Sequence, residues 1–192
     1  MGDNGAMRAD ASKNRERIIA AARTLLARDG LDVSYRALAE EAGVGVATVH
    51  RHFPDREDLL FAIARDNLEF VRAIEERFLP MWAEDPEGAW RGVIAAIADS
   101  DLPALGESVF SDDGLTEEFV EQIEPMRRLV GEFIARLLDR AAADGLIRDD
   151  VDAPQFMLAL FSVLRPWSDA VYAVVPGHRE WMIDMFVRGL RP

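Results

Sequence analysis

Residues 34–53, SYRALAEEAGVGVATVHRHF, contain two short amphipathic segments separated by a glycine turn. Ser34 is a favoured N-cap residue, because its hydroxyl can accept a hydrogen bond from a free amide in the first turn of a helix. Apolar residues then recur at three- and four-residue spacing, which predicts a short helix with a narrow buried face formed by Leu38, Ala39 and Ala42. Gly43 stands where a helix commonly ends with a positive φ, which glycine adopts at little cost. The apolar Val44 predicts that this turn packs onto a core.

The second segment predicts another short helix with two different sides. Val46, Val49 and Phe53 fall on one side at i, i+3 and i+7, and Ala47, Thr48 and Arg51 are left on the other. Two helices joined by a short turn that contains glycine form the helix-turn-helix pattern, whose second helix enters the major groove of DNA. Similar pairs of helices also occur in proteins that never contact DNA. The geometry alone therefore leaves a DNA-binding and a purely structural interpretation open.

Residues 43–60, GVGVATVHRHFPDREDLL, resemble the signature of the TetR family of transcriptional regulators. The approach to them is similar to the family as well, in residues 17–22, 25–26, 29–31 and 38–43. The resemblance covers about 45 residues and needs no gaps. It implies an all-α protein with an N-terminal three-helix helix-turn-helix domain and a larger helical domain for ligand binding and dimerisation.

The charge of the chain is divided unevenly along its length. The formal net charge is −13, which by itself opposes binding to the DNA duplex. Residues 1–60 hold nine Lys and Arg against ten Asp and Glu, whereas residues 61–192 hold thirteen against twenty-five. The acidity therefore belongs to the second part of the chain, and the first part is nearly neutral. This division permits DNA binding without proving it.

Composition excludes several classes of protein. The chain contains no cysteine, which rules out disulfides and thiolate chemistry. No apolar run approaches the roughly 18–20 residues needed to span a bilayer, and the first residues lack signal-peptide character, so we expect a cytoplasmic protein.

Helical periodicity, caps and prolines predict about nine helices and no strand. We expect a flexible tail over 1–11, a helix-turn-helix domain over 12–55 whose first helix is capped by Ser12, and a regulatory and dimerisation domain over 56–192. The helices predicted in the second domain cover 56–79, 86–100, 116–143, 153–174 and 178–189. Pro125 either kinks the third of these or divides it, and Pro166 either bends or breaks the fourth.

The resemblance also implies which residues contact DNA. By position, Ser34, Tyr35 and Arg36 are the contacts of the first motif helix, with Ser34 facing phosphate. The base-reading positions are occupied by Val46, Ala47, Thr48 and Arg51, and the phosphate-contacting positions by His50, His52 and Arg56. His50 departs from the family, which commonly has Tyr there, and it is either a pH-dependent phosphate contact or a packing residue. Lys13, Arg15 and Arg17 either approach the DNA backbone or form an ordinary solvated face.

Neither a metal site nor a catalytic site is predicted, and we expect no cofactor. His50 and His52 are two residues apart on a helix, so they point about 200° apart and cannot share an ion without distortion. The acidic cluster at 149–152 precedes a helix start, where such residues act as caps. No Ser-His-Asp set, P-loop or dinucleotide turn is present.

In the second domain, the resemblance implies an effector pocket and a dimer interface formed by the last two helices. Candidate pocket residues are Trp82, Trp90, Phe110, Phe119, Met126, Phe133, Met157, Phe161 and Trp167, although most of them must be core. The apolar faces expected at the dimer interface contain Phe156, Leu160, Val163, Trp181, Met185 and Gly189.

Together these features predict a homodimeric, ligand-responsive regulator. It is expected to repress by binding a palindromic operator and to release that operator when a small apolar effector binds. The alternatives are a regulator without an effector, an activator, or an all-α enzyme whose N-terminal motif is structural only.

Overall fold

A computed structural model of the chain describes residues 3–31, 33–105, 114–165 and 167–192. Within these ranges the chain forms nine α-helices and no strand, which confirms the predicted all-α class. The helices are α1 (Asp3–Asp29), α2 (Tyr35–Ala42), α3 (Val46–His52), α4 (Arg56–Phe78), α5 (Pro86–Ala98), α6 (Glu117–Ala143), α7 (Ala153–Val163), α8 (Asp169–Val174) and α9 (His178–Gly189). Two short 3₁₀ turns, Pro80–Ala83 and Leu102–Leu105, flank α5. No helix in the described ranges is at once long and apolar enough to cross a membrane.

Both ends of α2 are set by the residues that the sequence indicated, and a capping box starts α4. The Ser34 hydroxyl accepts a hydrogen bond from the Ala37 amide at 3.2 Å. Gly43 ends α2 with a φ of +61°, and an added Cβ there would also lie 2.6 Å from Nη2 of Arg17. Asp55 and Asp58 form a capping box at the start of α4.

One helix start differs from the prediction. α1 begins at Asp3, so residues 3–11 extend the helix, and the N-cap expected at Ser12 is wrong. The Ser12 hydroxyl instead donates to the Glu16 carboxylate at 3.0 Å, one turn further along the same helix.

The two internal prolines have different effects. Pro125 lies inside the continuous helix α6, on its exposed side, where water can satisfy the carbonyl that proline leaves unpaired. Pro166 lies outside the described residues, and the helices on either side of it are separate, since α7 ends at Val163 and α8 begins at Asp169. The helix predicted over 153–174 is therefore broken.

Buried apolar side chains form two clusters. The first combines α1, α2, α3 and the start of α4 with Leu105, and includes Ile18, Leu38 and Val49. The second combines the rest of α4 with helices α5, α6, α7 and α9. Helix α4, about 35 Å long, contributes to both clusters and connects them rigidly.

Candidate DNA interface and effector cavity

The outward face of α3 is formed by short side chains and one arginine. Val49 is fully buried and anchors the helix, while Ala47 and Arg51 are exposed and Thr48 is partly exposed. Nη2 of Arg51 donates to Oγ1 of Thr48 at 3.3 Å, so the guanidinium is held along this face. These side chains occupy the base-reading positions that the resemblance implies.

Val46 also belongs to the outward face, with 42% of its surface exposed. Its predicted place on the same side of the helix as the buried Val49 and Phe53 is therefore wrong. The helical spacing behind that assignment stops at His52, because Phe53 follows the helix with a φ of −137°. The exposure of Val46 agrees with its other assignment, as a base-contacting residue.

Tyr35 and His50 pack against each other across the motif, with ring centroids 4.6 Å apart. The Tyr35 hydroxyl is buried and has no hydrogen-bond partner among the described residues. Burial raises the pKa of this hydroxyl, and the charges of Asp55 and Asp58 raise it further. A DNA contact through Tyr35 therefore requires its side chain to turn outward.

The basic side chains around the motif are in different environments. Arg36 is exposed, whereas one guanidinium nitrogen of Arg56, Nη2, is buried without a partner in the described part of the chain. The pKa of His52 is lowered, first by burial and then by the positive charges of Arg51 and Arg15. His52 is therefore less often protonated in the free protein than an exposed histidine.

Of the basic residues Lys13, Arg15 and Arg17 on α1, two have structural partners. The Arg15 guanidinium lies 5.3 Å from the centre of the Phe53 ring, and Nη2 of Arg17 donates to the Gly43 carbonyl at 3.2 Å. Both contacts fix α1 against the motif. Lys13 is exposed.

A cavity of about 340 Å³ lies between α4, α6 and α7 and extends to the end of α1. Its described lining is apolar or glycine except for two side chains, Asn67 and Arg127. The volume lies within the range of about 300–1,000 Å³ that is usual for small-molecule sites. Both buried clusters contribute walls, for example Leu26 and Leu60 from the first and Val71 and Ile134 from the second.

Four of the candidate pocket residues line this cavity, namely Phe119, Met126, Met157 and Phe161. The others that the structure describes do not. Trp90 and Phe133 are buried in the second cluster, and Trp82 is buried with its indole nitrogen donating to Asp144 at 2.6 Å. Trp167 is 62% exposed, and Phe110 lies outside the described residues.

The candidate dimer residues divide into an inner and an outer group. Phe156 and Leu160 are buried in the second cluster, so their assignment to an interface between protomers is corrected to the core. Val163, Trp181, Met185 and Gly189 are exposed. The sequence analysis missed Leu158, which is 59% exposed, because α7 has apolar residues on both sides.

Family models match two parts of the chain. Residues 18–63 match the model described as bacterial regulatory proteins, tetR family. Residues 85–192, more than half of the chain, match the C-terminal domain of SbtR-like transcriptional regulators. This chain belongs to the TetR family of transcriptional regulators. Members of this family bind operator DNA and dimerise.

Solved structures of TetR-family proteins extend the likeness over nearly the whole chain. A TetR transcription regulatory protein from Mycobacterium vanbaalenii has 26% identity and a TM-score of 0.56, over 97% of this chain and 99% of that one. A TetR regulator from Streptomyces coelicolor has 28% identity and a TM-score of 0.54, over 93% and 98% of the two chains.

Sequence relatives match a shorter part. An HTH-type transcriptional regulator of Staphylococcus aureus is 39% identical over 72 residues, which is 36% of this TetR-family chain and 39% of the relative. The match therefore covers about two fifths of the relative's length.

Asn67 is the functional candidate that the sequence analysis of this regulator missed. It stands on α4 between Ile63 and Val71, at four-residue spacing in an otherwise apolar stripe. A polar residue that interrupts an apolar stripe is a signal contained in the sequence itself.

The acidic cluster at 149–152 shows the expected capping, because Asp152 accepts a hydrogen bond from the Gln155 amide at 2.7 Å.

Proposed function

We propose that the chain is a ligand-responsive repressor that binds a palindromic operator as a homodimer and releases it when a small apolar molecule fills the cavity. In this proposal, residues 12–55 form the DNA-binding domain and residues 56–192 the regulatory and dimerisation domain. The protein acts in the cytoplasm and catalyses no reaction.

The exposed face of α3 supports the DNA-binding step. Arg51 is its long hydrogen-bond donor and reads a base edge, while Val46 and Ala47 offer apolar contacts to a thymine methyl group. Ser34, Arg36, His52 and Arg56 position the helix on phosphates. The acidic second domain points away from the duplex in this arrangement, because its negative charge would otherwise repel the phosphates.

Exposed apolar side chains on α7 and α9 support the dimer. Leu158, Val163, Trp181 and Met185 are between 38% and 59% exposed, although each is large and apolar. Burying them against a second copy is favourable in proportion to the area removed from water. The dimer must place its two α3 helices about 34–36 Å apart to enter successive major grooves.

Two polar contacts, one to the start of α4 and one to α1 of the DNA-binding domain, support a connection between the cavity and that domain. Thr116, the N-cap of α6, donates through its hydroxyl and its amide to Oε1 of Glu57, at 2.6 and 3.2 Å. Glu57 stands beside Arg56 at the start of α4. Nη2 of Arg165, just after α7, donates to the Ala27 carbonyl near the end of α1 at 2.9 Å.

The observation that carries the proposal is the position of the cavity between the two buried clusters. Helices α6 and α7 form walls of the cavity. A contact to the start of α4 precedes α6, and a contact to α1 of the DNA-binding domain follows α7. A ligand that separates these walls therefore biases the tilt of α4. A coupling of about 1–3 kcal/mol weakens operator binding about 5- to 150-fold.

The test of DNA binding compares two arginine variants. We expect the purified protein to bind DNA from upstream of its own gene, with an affinity that falls as salt rises. Arg56→Ala should weaken binding to all DNA alike and lower the salt slope by about one unit, whereas Arg51→Ala should reduce discrimination between operator and random DNA. No salt-dependent binding to any DNA would favour the enzyme alternative. Binding that no ligand changes would favour a regulator without an effector.

The test of the dimer uses three aspartate substitutions. Leu158→Asp and Met185→Asp should give monomers on a sizing column and lose operator binding. Leu129→Asp is the matched control, because Leu129 is 43% exposed on α6, outside the proposed interface. Dimers that persist in both interface variants would place the contact elsewhere.

The pH dependence of binding tests the histidine contacts. Phosphate favours the charged imidazolium, so His52, with its lowered pKa in the free protein, takes up a proton on binding. Operator affinity should therefore rise as pH falls from about 8 to about 6. His52→Gln should flatten this slope. His50→Tyr should keep tight operator binding and should also reduce the pH dependence of that binding. If the pH dependence of His50→Tyr equals that of the wild type, His50 is a packing residue against Tyr35.

A further inference from the structure

The described wall of the cavity contains few polar side chains. Among the described lining residues, only Asn67 on α4 and Arg127 on α6 carry polar side chains. The remaining walls offer hydrocarbon, aromatic rings and thioethers, which favour ligands that leave water through the hydrophobic effect. Among the described lining residues, these two side chains are therefore the ones that can distinguish one apolar ligand from another by a polar contact.

Asn67 has an unused acceptor. Its Oδ1 atom is buried and has no hydrogen-bond partner among the described residues. A buried acceptor without a partner is unfavourable, and a carboxamide oxygen can accept from two donors. The side chains of Ile63 and Val71, the neighbouring positions on the same side of α4, have no polar atoms to offer it. A ligand in the cavity can supply the missing donor.

Arg127 does not make the cavity an anion site by itself. Its guanidinium already has an interaction partner within the chain. A carboxylate placed near Asn67 would bring acceptor oxygens against the Oδ1 acceptor, which is repulsive. The Asn67 end of the cavity therefore favours a neutral group that carries a hydrogen.

We propose that the cavity binds a neutral, largely apolar molecule with one hydrogen-bond donor, such as an aliphatic alcohol or a phenol, and that Oδ1 of Asn67 accepts from that donor. The inference rests on the proposed function, since it takes the cavity as the effector site. It adds the polar feature by which the effector is recognised.

Two isomeric probes and a carboxylate test the proposal on the full-length protein. Octan-1-ol has a hydroxyl donor, methyl heptyl ether has the same formula without a donor, and octanoate is an anion at pH 7.5. Dissociation constants are measured by isothermal titration calorimetry in the absence of DNA. We expect the alcohol to bind about tenfold more tightly than the ether, as one net hydrogen bond allows, and more tightly than octanoate.

Two variants assign the preference to Asn67. Asn67→Leu removes the acceptor at similar volume, and it should bind the alcohol and the ether with equal affinity. Met157→Leu alters an apolar part of the wall and keeps the acceptor, so it should retain the preference for the alcohol. Thermal unfolding of each variant confirms that it is folded before titration.

Several results would overturn the inference. Equal binding of alcohol and ether by the wild type would show that no donor is recognised. A preference that survives in Asn67→Leu would assign recognition to another group, and tightest binding of octanoate would assign it to Arg127. Operator release by the same probes is measured separately. A preference for the alcohol without release would contradict the proposed function alone, whereas release by all three probes alike would contradict this inference alone.

Discussion

Helix α7 contributes to two regions of the second buried cluster that differ sharply in packing. On one side of α7, Phe156 lies between Trp90 and Phe186. The centroid of its ring is 5.7 Å from that of Trp90 and 5.9 Å from that of Phe186. On another, Met157 and Phe161 border the cavity. The residue types are similar, and all belong to helices of the same cluster. Whether an aromatic side chain fills a core or lines an empty space is therefore decided by what stands opposite it.

The difference has an energetic consequence. Side chains in a close-packed core gain dispersion contacts on every side, whereas a side chain that borders a void has no partner atoms there. The packed region should therefore be sensitive to any change of volume. The cavity wall should tolerate such changes and lose ligand binding instead. Three pairs of matched substitutions test this contrast by chemical denaturation at one fixed protomer concentration, since a dimer's apparent stability depends on concentration.

The largest effect is expected for phenylalanine truncation on α7. Phe156→Ala should lower the free energy of unfolding by about 3–5 kcal/mol, because it opens a cavity among buried rings. Phe161→Ala should cost clearly less, since part of its surface already faces empty space. Equal losses would show that the cavity is closed in solution.

The second pair adds volume to an alanine. Ala89 is fully buried, so Ala89→Leu should overpack the core and cost about 1–3 kcal/mol. Ala64 lines the cavity, and Ala64→Leu should change stability by less than about 1 kcal/mol while abolishing binding of apolar probes. Both substitutions replace alanine by leucine within a helix, so they change helix propensity by nearly the same amount. The difference between their effects on the free energy of unfolding therefore reports packing. Retained probe binding in Ala64→Leu would contradict the position of the cavity.

The smallest effect is expected for glycine replacement within helices. An added Cβ at Gly92 would lie 2.3 Å from the Phe78 ring, whereas an added Cβ at Gly131, which lines the cavity, would meet no atom within 4 Å. Alanine gains about 1 kcal/mol over glycine in a helix interior. Gly131→Ala should therefore be stabilising by up to that amount, and Gly92→Ala should be destabilising. A stabilising Gly92→Ala would mean that α5 and α4 can move apart at little cost.

Local features of the chain were predictable because their causes act within one helical turn. Ser34 and Gly43 set the ends of α2 through contacts to residues three or four positions away, and both were predicted correctly. The resemblance identified the family from a continuous stretch. By contrast, the early start of α1 was not predicted, and the proline alone could not decide whether α6 continues through Pro125.

The arrangement of the sites depended on residues far apart in the chain. Periodicity shows that α7 is apolar, but it does not show that Phe156 and Leu160 face the core while Leu158 faces outward. The contacts of Thr116 with Glu57 and of Arg165 with Ala27 join positions 59 and 138 residues apart. The sequence by itself determined the all-α class, the motif and the family, since short-range hydrogen bonds and backbone conformation specify them. Only the tertiary structure decided which apolar side chains surround the cavity and that Asn67 is among them, because a void is defined by the packing of distant helices around it.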